Sequence, residues 1–220
     1  MCSSDLHASL LSNRYSILGD FSSSDGFRDH SERKSGTLQG SYQVVSEEDR
    51  TLVLSASLNV REFDTPGPLR STDITDDGTE SLAFFQFDGA EEQTFRASLD
   101  GGWQASMGKI DASITGELRN QDLIRTLPLS ADFADTQKRQ VDALSFKSNV
   151  QISGVSLPLP IDNQLLVGMD GFFGTLDTRY RHIATGGLTD AYLGASGDPG
   201  DVLSDGSASR NGAAGYAHLD

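Results

Sequence analysis

The sequence is poor in cysteine, in long apolar runs and in basic residues. Its 220 residues include one cysteine, Cys2, which excludes an internal disulfide and a cysteine-based metal site. No apolar run approaches the roughly 18 residues of a membrane helix, which excludes helical spanning. Lys and Arg number 17 against 32 Asp and Glu, and the resulting net charge of -15 would repel nucleic acid. A transmembrane β-barrel stays open, because alternating strands keep mean hydropathy, here -0.34, low.

Enzyme signatures are missing too. There is no G-x-S-x-G, no H-E-x-x-H and no P-loop. The histidines are scattered, and we interpret each as a polar residue of the surface or lumen rather than a metal ligand: His7, His30, His182 and His218. We therefore predict a protein that is not an enzyme, with no cofactor, and assign no catalytic, cofactor-binding or metal residue.

The two ends of the chain have unusual features. "MCSSDL" has neither the basic nor the apolar region of a signal peptide, and no lipobox precedes Cys2. "CSSDL" is the translation of a common sequencing-adapter end, TGC TCT TCC GAT CT. We expect residues 1–6 to be adapter-derived and residues 7–220 to be the protein. "AAGYAHLD" stops within an alternating pattern without a terminal aromatic, so we expect a fragment cut at both ends.

Alternation of apolar and polar residues is the main pattern present. In "GKIDASITGELR" Ile110, Ile114 and Leu118 share one parity, while Lys109 and Glu117 share the other. A period of two predicts a β-strand with one apolar and one polar face. Similar segments bring the total to about eight strands, several near ten residues, a length that spans a bilayer when tilted. The others are "RYSILGDF", "GTLQGSYQV", "TLVLSASLNVR", "TFRASLDGGW", "ALSFKSNVQIS", "NQLLVGMDGFFG" and "AAGYAHLD".

The connections alternate in length. Short ones fall at 46–50, near 105–107 and at 154–163. Long polar ones fall at 23–32, 63–91, 120–139 and 183–210. An antiparallel meander with every long loop at one end produces this order, as in outer-membrane barrels. A soluble sandwich has no reason to sort its loops in this way.

The composition of the two faces favours lipid over a packed core. The apolar faces include many Gly and Ala, which fill a core poorly but cost little against fluid lipid. Aromatic residues near segment ends fit an interfacial girdle, although each could instead lie at a sandwich edge: Tyr15, Tyr42, Trp103 and Tyr180. We predict that Leu54, Ile114 and Val150 face lipid, and that Ser55, Thr115 and Gln151 face the lumen.

Three longer stretches carry a family resemblance. "SDGFRDHSERKSGTLQGSYQ", "RTLPLSADFADTQKRQVDAL" and "NQLLVGMDGFFGTLDTRYRHI" resemble the barrel portion of TonB-dependent outer-membrane receptors, and "NGAAGYAHLD" resembles a later strand of that barrel. The resemblance covers residues 7–220. It implies an all-β, antiparallel up-and-down meander, part of a barrel of about 22 strands, with the plug and the C-terminal strands missing from this sequence.

The resemblance also implies a function. Such receptors import scarce nutrients, most commonly ferric siderophores, through the outer membrane of Gram-negative bacteria. The implied partners are a small-molecule ligand such as a metal chelate, TonB through the missing plug, and outer-membrane lipid. Two alternatives stay open: a small complete barrel of about eight strands with a structural or adhesive role, and a secreted β-sandwich that binds carbohydrate or protein. A cut barrel would leave unpaired edges near residues 8–22 and 211–220.

Candidate ligand-binding features lie in the long loops. "DITDDGTE" (73–80) partly fits a calcium loop with Asp73, Thr75 and Gly78, but Phe84 replaces the bidentate Glu. Asp198, Asp201 and Asp205 could hold a cation, although a solvated acidic loop is the simpler interpretation. Phe84, Phe85 and Phe87 form either a ligand-gripping patch or, as we favour, a short strand that extends the wall. Arg70 and Arg125 are the basic candidates for an anionic chelate.

Overall fold

A computed structural model describes residues 3–69, 79–81, 85–128, 134–155, 164–183 and 199–219. These residues form one antiparallel sheet in which the spatial order follows the chain order. Its nine strands are β1 (Ser3–Leu11), β2 (Tyr15–Ser24), β3 (Arg33–Ser46), β4 (Arg50–Asp64), β5 (Gly89–Ala105), β6 (Gly108–Pro128), β7 (Ala134–Val155), β8 (Leu165–Ile183) and β9 (Pro199–Leu219). The predicted all-β up-and-down meander is confirmed.

Strand β1 is the one that the sequence pattern missed, so the described sheet has nine strands and not eight. Four of its nine residues, Ser3–Leu6, lie in the segment attributed to an adapter, and the remainder is too short to register as a strand. The adapter origin of residues 1–6 stays a prediction. Among the described residues, no helix is long and apolar enough to cross a membrane.

The connections are sorted by end, but the strands are longer than predicted. Short connections at 12–14, 47–49 and 106–107 lie at one end, which we call the short-turn end. The connections 25–32 and 65–88 lie at the other, the long-connection end. The predicted loops 120–139 and 183–210 are wrong in extent, because β6 continues to Pro128, β7 begins at Ala134 and β9 begins at Pro199. These strand extensions carry polar residues on both faces, and their apolar residues, such as Leu123 and Ile124, are adjacent rather than alternating, so they show no period of two to detect.

A continuous apolar band crosses the sheet. On β6 it runs from Ile110 to Leu118, nine residues, and the apolar parity of neighbouring strands continues it in register. A tilted transmembrane strand needs about 9–11 residues. We define the apolar band as the residues of that parity within 52–60 of β4, 95–103 of β5, 110–118 of β6, 144–152 of β7 and 165–173 of β8.

The apolar band ends abruptly toward the long-connection end. The next residues of the same parity are Asn120 on β6 and Asp142 on β7, whose side chains are joined by a 2.6 Å hydrogen bond from Asn120 Nδ2 to Asp142 Oδ1. Asp142 in turn lies opposite Asp177 on β8. The same face of the sheet therefore changes from apolar to charged within one step of the pleat, as expected where a strand leaves lipid for water.

No other part of the described chain covers the apolar band. Leu54, Ile114 and Val150 are 48%, 59% and 49% exposed. Leu118 and Phe146 in the band are also exposed, while Ile110 and Ile152 at its short-turn end are half-buried. The few buried apolar side chains, including Phe85 and Ile183, lie instead at the long-connection end. A β-sandwich would bury such a face against a second sheet, whereas the described residues form a single sheet.

The described sheet is open at both edges. Strand β1 pairs only with β2, and β9 pairs only with β8, among the residues that the structure describes. The predicted edge at 8–22 is therefore partly wrong, because β2 is paired on both sides and only β1 is free. The predicted edge at 211–220 lies within β9, which begins earlier, at Pro199.

Candidate functional site

Aromatic side chains border the apolar band at the short-turn end. Tyr15 on β2 lies directly opposite Tyr42 on β3, and Trp103 on β5 lies opposite Ile110. These three positions agree with the predicted girdle. Tyr180 does not, because it lies on the polar face beyond the band, opposite Arg139, whose guanidinium carbon is 5.6 Å from the centre of the tyrosine ring.

Paired charges line the polar face. Arg96 on β5 donates to the carboxylate of Glu117 on β6, with Nε 3.0 Å from Oε2. Glu92 lies near two arginines, Arg61 at 3.8 Å and Arg119 at 3.5 Å. Such ion pairs are partly exposed and contribute little to stability. They do show that this face is compatible with contact with water, as the predicted lumen side requires. Ser55 and Thr115 both lie on this face, beside Ser98.

A cationic groove of about 610 Å³ opens on the polar face where β7, β8 and β9 meet. Arg210 lies over the ring of Phe172, with its guanidinium carbon 5.8 Å from the ring centre. Lys147 is exposed and forms no ion pair with any residue that the structure describes. An ammonium, a guanidinium and an aromatic ring together can hold an anionic or aromatic group. We call Lys147, Phe172 and Arg210 the cationic groove.

Sequence reasoning missed the cationic groove. It placed Arg210 at the end of a loop, whereas Arg210 lies in the middle of β9 opposite Gly174. Phe172 and Lys147 are direct cross-strand partners. That pairing depends on the register of β7 against β8, which includes a β-bulge between Ile152 and Val155 that alternation does not reveal.

At the long-connection end, the side chain of Arg28 joins two connections by donating hydrogen bonds to backbone carbonyls. Arg28 in the 25–32 connection donates from Nη1 to the carbonyl of Gly67 at 2.7 Å and from Nη2 to the carbonyl of Glu80 at 2.8 Å. Phe85 packs against Gly67, where a methyl group would lie 2.2 Å from the ring, and is 1% exposed. Gly67 also has a φ of 67°, a conformation that favours glycine.

Asp88 connects the same end to the strands. Its carboxylate accepts from the backbone N of Thr126 at 2.8 Å and from Thr126 Oγ1 at 2.7 Å. Thr126 Oγ1 is 2.9 Å from Thr136 Oγ1 on β7. Burial raises the pKa of the Asp88 carboxyl, and the hydrogen bonds from Thr126 oppose part of that rise.

The structure describes only some of the predicted ligand-binding residues. Phe85 is buried and unavailable to a ligand, so the aromatic patch is wrong at that position, and residues 85–88 form a turn rather than the strand that we favoured. Phe87 is half-buried. Arg125 is exposed at the end of the polar face. The remaining loop candidates lie outside the described residues: Arg70, Asp73, Thr75, Gly78, Phe84 and Asp198.

The metal interpretations gain no support from the described residues, which contain no group of three or more His, Cys, Asp or Glu able to hold a metal ion. Asp205 forms an ion pair with Arg179 at 3.1 Å. Three histidines also have carboxylate partners: His7 lies 2.5 Å from Asp20, His30 lies 3.7 Å from Asp64, and His182 lies 3.1 Å from Asp135.

Comparison with known proteins gives similarity of structure without similarity of sequence. No family model matches the chain. No curated protein matches it either. One similar solved structure is the ferripyoverdine receptor of the outer membrane of Pseudomonas aeruginosa, bound to ferripyoverdine. Its TM-score is 0.71 at 16% sequence identity, and the match covers 98% of this chain and 32% of the receptor chain. The ferric citrate transporter FecA, in its unliganded form, has a TM-score of 0.65 at 17% identity over 99% and 32%.

A third solved structure, the FpvAI–pyocin S2 complex, has a TM-score of 0.69 at 16% identity over 93% of this chain and 31% of that one. These neighbours are TonB-dependent receptors. The chain spans about a third of the length of each. It therefore has the fold of one stretch of such a barrel wall, and the resemblance read from the sequence is confirmed at the level of the fold.

Proposed function

We propose that the chain forms part of the wall of an outer-membrane receptor that actively imports a scarce nutrient, driven by TonB. The exposed apolar band carries this proposal. The band is about nine residues long on each strand, and no other described residue covers it. That length and exposure match the surface by which a barrel strand contacts lipid. The opposite face carries paired charges that fit a wet lumen. The location that follows is the outer membrane of a Gram-negative bacterium.

For the substrate class we propose an iron chelate of the ferric siderophore type. Two of the similar structures support this choice through the ligands in their names, ferripyoverdine and ferric citrate. The cationic groove supports it as well, since the two positive charges of Lys147 and Arg210 outnumber the one carboxylate that also lines it, Asp170, whose Oδ1 accepts a hydrogen bond from Asn149 at 2.7 Å. A plug domain that contacts TonB completes the proposal, and it would belong to the longer protein.

A small complete barrel is the second candidate. It would pair its first strand with its last, while β1 and β9 have one partner each among the described residues. Sequencing the flanking DNA separates the two. A plug upstream and further strands downstream support the receptor; a signal peptide immediately upstream and a stop codon directly after Asp220 support the small barrel.

Growth on single iron sources tests the transport function. The full-length gene is placed in a host that lacks its own receptors, and growth is measured on each chelate alone. Growth on at least one ferric chelate, lost when the TonB gene of the host is deleted, is the expected result. Growth only on cobalamin or an oligosaccharide would replace the substrate class, and the absence of any uptake that depends on this gene would remove the transport function.

A further inference from the structure

The cationic groove lies at the depth of the apolar band, on the opposite face of the same strands. Lys147 of β7 and Phe172 of β8 lie within the parts of their strands that carry the band. Arg210 of β9 lies opposite Gly174, one residue beyond that part of β8. In the proposed barrel the groove is therefore inside the lumen, below the long connections, with lipid behind the wall. A wall of low dielectric constant strengthens the field of the charges that line a cleft.

The two cations of the groove have no carboxylate partner among the described residues, where neither Lys147 nor Arg210 forms an ion pair. Lys109, on the same face, is by contrast paired with Asp111 at 2.9 Å. The guanidinium of Arg210 lies over the ring of Phe172. A guanidinium held in this way keeps the N–H donors of its planar fork available to a carboxylate. The groove thus offers a guanidinium and an ammonium to an acidic group from outside the wall.

One carboxylate, Asp170 of β8, also lines the groove. An ion pair with Asp170 would cancel one of the two positive charges. The structure shows a different partner: Asp170 Oδ1 accepts a hydrogen bond at 2.7 Å from Nδ2 of Asn149, its direct cross-strand neighbour on β7. Within the described strands, Asp170 forms an ion pair with neither Lys147 nor Arg210. Asn149 therefore satisfies the carboxylate without neutralising either cation.

The side chain of Asn149 is itself fixed by Tyr216 of β9. Its Nδ2 also donates to Tyr216 Oη at 3.0 Å, and Tyr216 Oη donates to Gln151 Oε1 at 3.3 Å. The tyrosine ring lies across Gly168 of β8, where a methyl group would be 2.2 Å from the ring. Because residue 168 is glycine, a side chain of β9 can reach over β8 to β7 and hold Asn149 in place.

We propose that the cationic groove binds a carboxylate group of the imported chelate within the lumen, and that Asn149 is a positioning residue that keeps the groove cationic by holding Asp170. This inference rests on the proposed transport function and adds a binding step below the long connections. The groove's volume of about 610 Å³ lies within the range of small-molecule sites, roughly 300–1,000 Å³. That volume exceeds what one aspartate or glutamate side chain fills, which favours a small molecule over a carboxylate of the plug domain.

Calorimetric titration of the purified full-length receptor in detergent tests the site, with metal-free citrate as the carboxylate probe and glucose as an uncharged one. We expect citrate to bind, with an affinity that falls as salt is added, and glucose not to bind. Lys147→Gln should weaken citrate binding several-fold. Lys109→Gln is the matched control and should not change it, because Lys109 already has a carboxylate partner.

Variants of Asp170 and Asn149 separate a positioning role from a purely structural one. Asp170→Asn removes the negative charge of the groove and should tighten citrate binding. Asn149→Ala should weaken it, because Asp170 then loses its hydrogen-bond donor and can pair with a cation. Adding Asp170→Asn to Asn149→Ala should restore binding to at least the wild-type affinity. Binding that Asn149→Ala weakens and Asp170→Asn does not restore would overturn the positioning role.

Two results overturn the site itself: no citrate binding by the wild type, or equal binding by the wild type and Lys147→Gln. Absent binding with a lower melting temperature for Lys147→Gln would assign the cations to the plug domain instead. If Asn149→Ala fails to assemble, Asp170→Asn decides, since tighter binding supports the proposal and unchanged or weaker binding overturns it. These titrations need no TonB. Growth on an iron chelate without citrate binding therefore removes the groove alone, whereas absence of growth on every iron source counts against the transport function and leaves the binding result standing.

Discussion

Leu99 on β5 and Ile114 on β6 are direct cross-strand partners, and both project their side chains, 41% and 59% exposed, from a face that no other described residue covers. The residues that follow each of them in sequence point the other way and are polar or small: Asp100 and Thr115. Because the side-chain period of a strand is two, a single register determines every residue that contacts lipid.

The first prediction concerns this register. Ile114→Lys should block assembly in the membrane, since a lysine near the bilayer midplane costs roughly 2–4 kcal/mol on the lipid face. Thr115→Lys, one residue away, should assemble normally because its side chain faces the polar side. Heat-modifiable migration on gels of outer-membrane fractions measures assembly. Equal sensitivity at the two positions would contradict the register.

The alternation made these residues predictable from sequence alone. Leu54, Ile114 and Val150 each lie in a segment with strict period two, and each is confirmed on the apolar face. Tyr180 was misplaced, because near the long-connection end both faces are wet and parity no longer separates them. Asp88 gave no signal at all. It contacts Thr126, 38 residues away in the chain, and Thr126 in turn contacts Thr136; only tertiary structure creates these contacts.

The second prediction concerns the two free edges of the described sheet. β1 and β9 present unpaired backbone groups, and apolar side chains such as Leu6 and Leu10 are exposed beside one of them. Open edges with an uncovered apolar face promote association between chains. The 220-residue chain expressed alone should therefore aggregate in water and require detergent. Size-exclusion chromatography with light scattering measures this; a monodisperse monomer in plain buffer would contradict the membrane interpretation.

The third prediction concerns the contact between the 25–32 connection and the described parts of the 65–88 connection. Arg28→Ala removes the donors to the carbonyls of Gly67 and Glu80, leaving both acceptors unpaired in a partly buried site. The 65–88 connection should then be cleaved several-fold faster by a protease at low concentration. Arg33→Ala is the control, since Arg33 is an exposed residue at the start of β3. If both variants are cleaved at the wild-type rate, the contact does not hold the connection.

The last prediction concerns the cationic groove and rests on the proposed transport function. Lys147 and Arg210 are exposed on the polar face, and the structure describes no carboxylate partner for either. Lys109 on the same face provides the control. It lies near the short-turn end and forms an ion pair with Asp111 at 2.9 Å. If an anionic chelate passes along this face, the double variant Lys147→Gln and Arg210→Gln should reduce its uptake, and more so at low salt, where charge attraction is least screened. Lys109→Gln should have little effect.

Uptake of radiolabelled ferric chelate is measured in cells that carry the full-length gene, for the double variant and for Lys109→Gln, with receptor abundance checked on gels. Equal uptake by the double variant and the wild type at every salt concentration would remove the groove from the path of the substrate, and the lipid-facing role of the apolar band would be unaffected.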